Sequence, residues 1–140
     1  LSKGGSVARG KSRGYYVERK LVKLLRSKSG NYVFRVPVSG SRQSPKSNVA
    51  LPDVFLVNNA EGRVVAFEVK GTSEGRVRVP REQVVKLFKF LDAFKRYERR
   101  EAVIAVWFFS SRKWVFRRVE EGLELEDVVV REEDESNWSP

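Results

Sequence analysis

Residues 102–109 (AVIAVWFF) form an unbroken apolar run. The run is far shorter than the roughly 20 residues of a membrane-spanning helix. Bounded by polar residues, it reads as a strand buried on both faces. Successive side chains on a strand alternate faces, so Trp107, Phe108 and Phe109 cannot all point one way. The aromatic left outside calls for a covering helix or a subunit interface.

The remaining segments supply the cover. Residues 14–28 carry Val17, Leu21, Leu24 and Leu25 at helical spacing, with Gly30 as a stop. Residues 32–38 (YVFRVPV) read as a strand interrupted by Pro37, and 39–52 (SGSRQSPKSNVALP) as a long irregular loop. The strands 53–58 (DVFLVN) and 64–70 (VVAFEVK), joined by a turn at 59–62, read as a hairpin. A connection with some β character follows at 71–79. Pro80 then opens a helix predicted over about 81–98, striped by Val84, Leu87, Phe88, Leu91 and Phe94. Residues 113–119 (KWVFRRV) form a last strand. The order α-β-β-β-α-β-β predicts a single α/β domain over 14–119, with a mixed central β-sheet flanked by helices. Before it, residues 1–13 read as a flexible basic arm. After it, 120–140 read as an acidic tail, partly disordered, with a short helix or strand around 123–130.

Charge is distributed unevenly. Residues 1–51 carry twelve Lys/Arg against a single acid, Glu18, whereas 119–140 carry nine acids against one base. So basic an N-terminal part implies a polyanionic partner. Lys3, Arg9, Lys11 and Arg13 of the arm, with Arg42 and Lys46 of the loop, are its candidate phosphate contacts. The tail has three open roles: mimicking nucleic acid, contacting a protein partner, or covering the basic surface. The sequence contains neither Cys nor His, which excludes disulfides, Cys/His zinc sites and thiol or imidazole catalysis. A metal would have to be held by oxygen ligands, which suits Mg²⁺, with Mn²⁺ as the alternative.

The chemistry concentrates in Pro52-Asp53 and Glu68-Val69-Lys70. In VVAFEVK, Val65, Phe67 and Val69 point to the core, so Glu68 and Lys70 share the opposite face. A hairpin brings Asp53, at the start of the preceding strand, near Glu68. Two carboxylates beside an ammonium suit metal-assisted phosphodiester hydrolysis. The carboxylates hold the cation, and the lysine orients the attacking water or offsets charge on the phosphate. An isolated Glu-x-Lys pair is more often a plain surface ion pair; the upstream Pro-Asp, the basic charge and the lack of other reactive side chains favour catalysis.

Pro52-Asp53…Glu68-Val69-Lys70 resembles the motif of the PD-(D/E)xK nuclease superfamily, which implies a restriction-endonuclease-like nuclease core. Tyr16-Val17-Glu18-Arg19-Lys20-Leu21, Phe34-Arg35-Val36, Ser39-Gly40-Ser41, Leu51-Pro52-Asp53-Val54 and Phe67-Glu68-Val69-Lys70 are similar, in order, to the archaeal-type Holliday junction resolvases, over roughly residues 3–119. The resemblance implies that Glu18, Asp53 and Glu68 bind metal, that Lys70 is the catalytic lysine and that Ser39 assists cleavage. It implies that Arg19 and Arg35 lie near phosphates. It also implies a homodimer that nicks a four-way DNA junction in pairs, in the cytoplasm and associated with the nucleoid. Gln83, near the start of the second long helix, reads as surface or capping. Two other readings stay open: another restriction-like or repair nuclease, marked by cutting of linear duplex, and a non-catalytic nucleic-acid-binding module, which has no use for carboxylates facing phosphates.

Overall fold

The structure is a computed structural model that describes residues 2–37, 50–122 and 124–140, with 2–12 as backbone. Its elements are α1 (Ser2–Arg26), β1 (Tyr32–Arg35), β2 (Val54–Asn58), β3 (Arg63–Thr72), β4 (Arg76–Val79), α2 (Arg81–Leu91), β5 (Arg99–Phe108), β6 (Lys113–Val119) and β7 (Val128–Arg131). Five strands make a mixed sheet in the order β1-β2-β3-β5-β6, and β4 and β7 form a separate two-stranded ribbon. Among the described residues only the β3–β5 pair is parallel; it is the pair whose connection contains a helix, α2.

The apolar run lies in β5, and both of its faces are covered as the sequence requires. On one face Val17, Leu21 and Leu25 of α1 pack with Phe67, Val69, Val103 and Ala105. On the other, Leu87 and Leu91 of α2 pack with Val64, Ala66 and Ala102. The ribbon extends that second layer, with Val79 and Val130 against Ile104, Val106 and Phe108. Burying each of these Val, Leu, Ile or Phe side chains stabilises the fold by about 1.5–3 kcal/mol. Trp107 and Phe109 are both met by α1: Lys20 Nζ sits 4.3 Å from the Trp107 ring centroid, and Tyr16 stacks on Phe109. The aromatic left outside β5 therefore has a covering helix.

Three expectations are corrected. The segment read as a flexible basic arm continues α1 back to Ser2. Once the buried turns around Val17–Leu25 have formed, each added residue gains a backbone hydrogen bond without a new nucleation cost. Arg13, assigned to the arm, is half-buried, with Nη2 donating to Ser73 Oγ at 2.7 Å. The second helix ends at Leu91 rather than 98. There the N–H groups of Ala93 and Phe94 turn to the carbonyls three residues back, and Phe94 keeps its packing on Phe90 without the helix.

The third correction concerns the acidic tail, which completes the fold. The short helix or strand expected around 123–130 is a strand, β7, which pairs antiparallel with β4. Beyond it, Ser136 Oγ and Asn137 Oδ1 accept the N–H groups of Phe116 and Arg118, and Asn137 donates to both of those carbonyls. These bonds occupy the outer edge of β6, which would otherwise present unpaired backbone groups. Trp138 inserts against Phe67 and Phe116, with centroids 5.4 and 5.3 Å away, and its Nε1–H donates to Glu101 Oε1 at 3.1 Å. Arg63 Nε donates to the same oxygen at 2.9 Å. Burial works against the Glu101 charge, but the bonds from Arg63 and Trp138 outweigh it and hold the carboxyl below its ordinary range. Acidic composition hides these few apolar anchors.

Candidate active site

The site lies where β2 begins and β3 is about to end. The hairpin register pairs Val54 with Phe67, so continuing it places Asp53 opposite Glu68. The backbone fixes Asp53 on both sides: its N–H donates to Phe67 O at 3.0 Å, and its carbonyl accepts Val36 N–H at 2.9 Å. Its Oδ2 accepts the Val69 N–H at 2.9 Å. Paired strand residues share a face, so Asp53 and Glu68 face the α2 side, and Lys70, two residues on, joins them. Lys70 Nζ is 3.3 Å from Glu68 Oε2.

Crowding two half-buried carboxyls changes their proton affinity. Burial first, and the Asp53 charge second, push Glu68 up to about 7, against the opposing pull of Lys70. Burial also raises Asp53, opposed by the Val69 N–H and by Lys70. Lys86 of α2 acts on both carboxyls. It is the cation that sequence reasoning missed; the signal available was its helical offset of three from Gln83. Gln83 is not a cap: Pro80 precedes the helix without a side-chain cap bond, and Gln83 Oε1 is buried with no hydrogen-bond partner among the described residues.

Glu18 reaches the same rim from the other side of the sheet. Its carboxylate accepts Arg35 Nε at 2.8 Å, and Arg35 also covers the Tyr15 ring at 4.6 Å. Burial and then the Asp53 charge raise the Glu18 carboxyl, while Arg35 opposes them. Among the described residues no three carboxylates gather tightly enough to hold a metal. The expected trio is here a pair, Asp53 and Glu68, with a third carboxylate held aside by Arg35. Arg19 is exposed beside Glu18. Lys3, Arg9 and Lys11 fall on the first turns of α1, while Ser39, Arg42 and Lys46 lie outside the described residues.

The donors suit a hard divalent cation. They are carboxylate oxygens, in a chain without His or Cys, and their mutual repulsion is the kind a bound dication relieves.

A mixed sheet between helices, with a rim of carboxylates and a lysine on an antiparallel strand pair, has the layering of restriction-endonuclease-like nucleases. Residues 9–136 match the family described as "Archaeal holliday junction resolvase (hjc)", and the chain belongs to that family. It is 40% identical over 116 residues to the crossover junction endodeoxyribonuclease Hje of Sulfolobus acidocaldarius, covering 83% of this chain and 76% of the relative. It is 38% identical over 117 residues to the Hje of Saccharolobus islandicus, covering 84% and 77%. The solved structure of Hjc from Archaeoglobus fulgidus, a Holliday junction resolvase, matches with a TM-score of 0.55 at 28% identity, over 71% of this chain and 70% of that one. The match through residue 136 takes in most of the acidic tail. No helix among the described residues is long and apolar enough to cross a membrane.

Proposed function

We propose that this chain is a structure-selective endonuclease that resolves four-way DNA junctions, using Mg²⁺ held by Asp53 and Glu68 and completed by Glu18. The observation that carries the reading is the placement of Asp53 opposite Glu68 with Lys70 Nζ 3.3 Å from the latter, in a member of a resolvase family. Bound there, a divalent cation would polarise the scissile phosphate and acidify a water. Asp53, fixed by three backbone hydrogen bonds, holds its carboxylate still. Lys70 orients the attacking water and offsets charge developing on the phosphate oxygens. Arg35, now on Glu18, turns to a phosphate when Glu18 joins the cation site.

Binding is assigned to backbone charge and branch geometry rather than base sequence. Lys3, Arg9, Lys11, Arg13 and Arg19 on α1, with Arg35, Arg42 and Lys46, are the proposed phosphate contacts, and Ser39 is proposed to assist cleavage on resemblance alone. Resolution needs two cuts, so the active form is a homodimer with twofold symmetry. An aromatic series supports this. Phe34, 48% exposed, stacks on Phe55, which meets Phe90, and Phe90 meets Phe94. Tyr32, on the same edge strand, is 66% exposed.

The test is cleavage of a labelled four-way junction beside a linear duplex of the same sequence, with and without Mg²⁺, on a denaturing gel. The expected result is Mg²⁺-dependent nicks at symmetric positions in the junction, with the duplex intact. Asp53→Ala and Glu68→Ala should bind the junction and fail to cut it. Cutting of both substrates would leave a nuclease without junction selectivity, and tight binding without cutting by the unmodified chain would leave a binding module.

A further inference from the structure

Directly after Lys70 the chain carries Gly71, paired in the sheet with Trp107. A Cβ at this position would lie 2.7 Å from Val17 Cγ2 and 3.0 Å from Phe109 Cε2. Carbon atoms in ordinary contact stand about 3.5–4.0 Å apart, so a methyl here would push its neighbours back by roughly 1 Å. Gly71 is not among the glycines with positive φ. What it supplies is room, not a special backbone conformation.

The neighbours cannot yield cheaply. Val17 is buried on the sheet-facing side of α1, and a β-branched side chain in a helix has one dominant rotamer. Phe109 is held by Arg13, whose guanidinium carbon is 4.2 Å from the ring centroid, and by the stacked Tyr16 ring. Both contacts belong to α1, so the helix would have to lift as a body. The next residue on that helix is Glu18, whose carboxyl already feels Asp53.

We propose that Gly71 is a positioning residue for strand cleavage: lacking a side chain, it seats α1 against β3 beside Lys70, and this seat sets how far Glu18 stands from Asp53. The proposal rests on the reading of Glu18, Asp53, Glu68 and Lys70 as the cleavage site. A displacement of about 1 Å in a reacting constellation can slow a reaction on the order of 100-fold.

The test uses the full chain as Gly71→Ala, Val17→Ala, the double variant and Glu18→Gln. Three quantities are measured: single-turnover cleavage of a four-way junction, its dissociation constant in EDTA, and Mn²⁺ affinity without DNA by calorimetry. Gly71→Ala should slow cleavage by about 10–100-fold and weaken Mn²⁺ binding, while junction affinity stays within about twofold. Val17→Ala removes both γ-methyls, including the Cγ2 that faces position 71, and Gly71→Ala adds one carbon; the clash is relieved with one carbon fewer in all, so the double variant should return to within about threefold of the parent on both counts. Val17→Ala alone should cut at nearly the parent rate. Cleavage by Gly71→Ala at the parent rate would overturn the proposal, and so would a double variant that is no better than Gly71→Ala. Should Gly71→Ala fail to fold, the double variant must fold and cut; its failure counts equally against the seat. Parent-like cutting by Glu18→Gln would instead sink the underlying site assignment.

Discussion

Glu68 is the residue at which the protein's stability and its proposed chemistry oppose each other. Its folded carboxyl titrates near 7, against an ordinary value of 4.5. Below the ordinary value it is neutral in both folded and unfolded chains, and the site costs nothing. Between the two values the folded chain keeps a proton that the unfolded chain has lost, so stability falls as pH rises; above about 7 the full cost remains. Metal-free protein should therefore melt several degrees lower at pH 8 than at pH 5 through this group, followed by differential scanning calorimetry. Mg²⁺ or Mn²⁺ should raise the melting temperature more at pH 8, where it no longer competes with a proton. Glu68→Gln should flatten both dependences; an unchanged slope in that variant would place the titration elsewhere. The Asp53, Glu68 and Lys70 group was legible in the sequence because strand alternation and a short turn dictate which residues face each other. Lys86 and Gln83 were not, since helix position over a sheet depends on packing that local pattern does not encode.

Among the elements, the last strand and the segment after it change the account most. Val128–Arg131 and Trp138 sit within a strongly acidic stretch, and average composition there points to solvent. Two or three well-placed apolar groups outweigh that average when a sheet edge and a gap over Phe67 await them. Trp138→Ala should lower stability by about 3–5 kcal/mol, from the lost ring and the cavity it leaves. It also strips one hydrogen bond from buried Glu101. Trp138→Phe should recover most of the packing and none of that bond; chemical denaturation of the two variants separates the terms. If Trp138→Ala melts like the parent, the tail does not belong to the core. The buried central strand and the hairpin were legible from β-rich apolar runs bounded by turn residues. The ends of both helices were not, because α1 propagates from a packed turn and α2 yields to the chain reversal that delivers β5.

At the scale of the whole molecule, the described residues leave the aromatic corner formed by Phe34, Phe55, Phe90 and Phe94 partly open. Phe90→Asp should convert the proposed dimer to a monomer in light scattering, with far-UV circular dichroism unchanged. Junction cleavage by that variant should lose its pairing, giving single nicks in place of resolved duplexes. A dimer that survives the substitution would move the interface elsewhere. Trp138 bears on the order of events during synthesis. Phe67 lies on a central strand, yet the ring that covers it comes 71 residues later in the chain (138 against 67). A nascent chain can therefore pair its strands early, but it cannot close its core until that indole has emerged from the ribosome. Premature termination would then yield chains with an open hydrophobic face, suited to capture by chaperones or proteases, rather than a shortened nuclease loose among DNA strands.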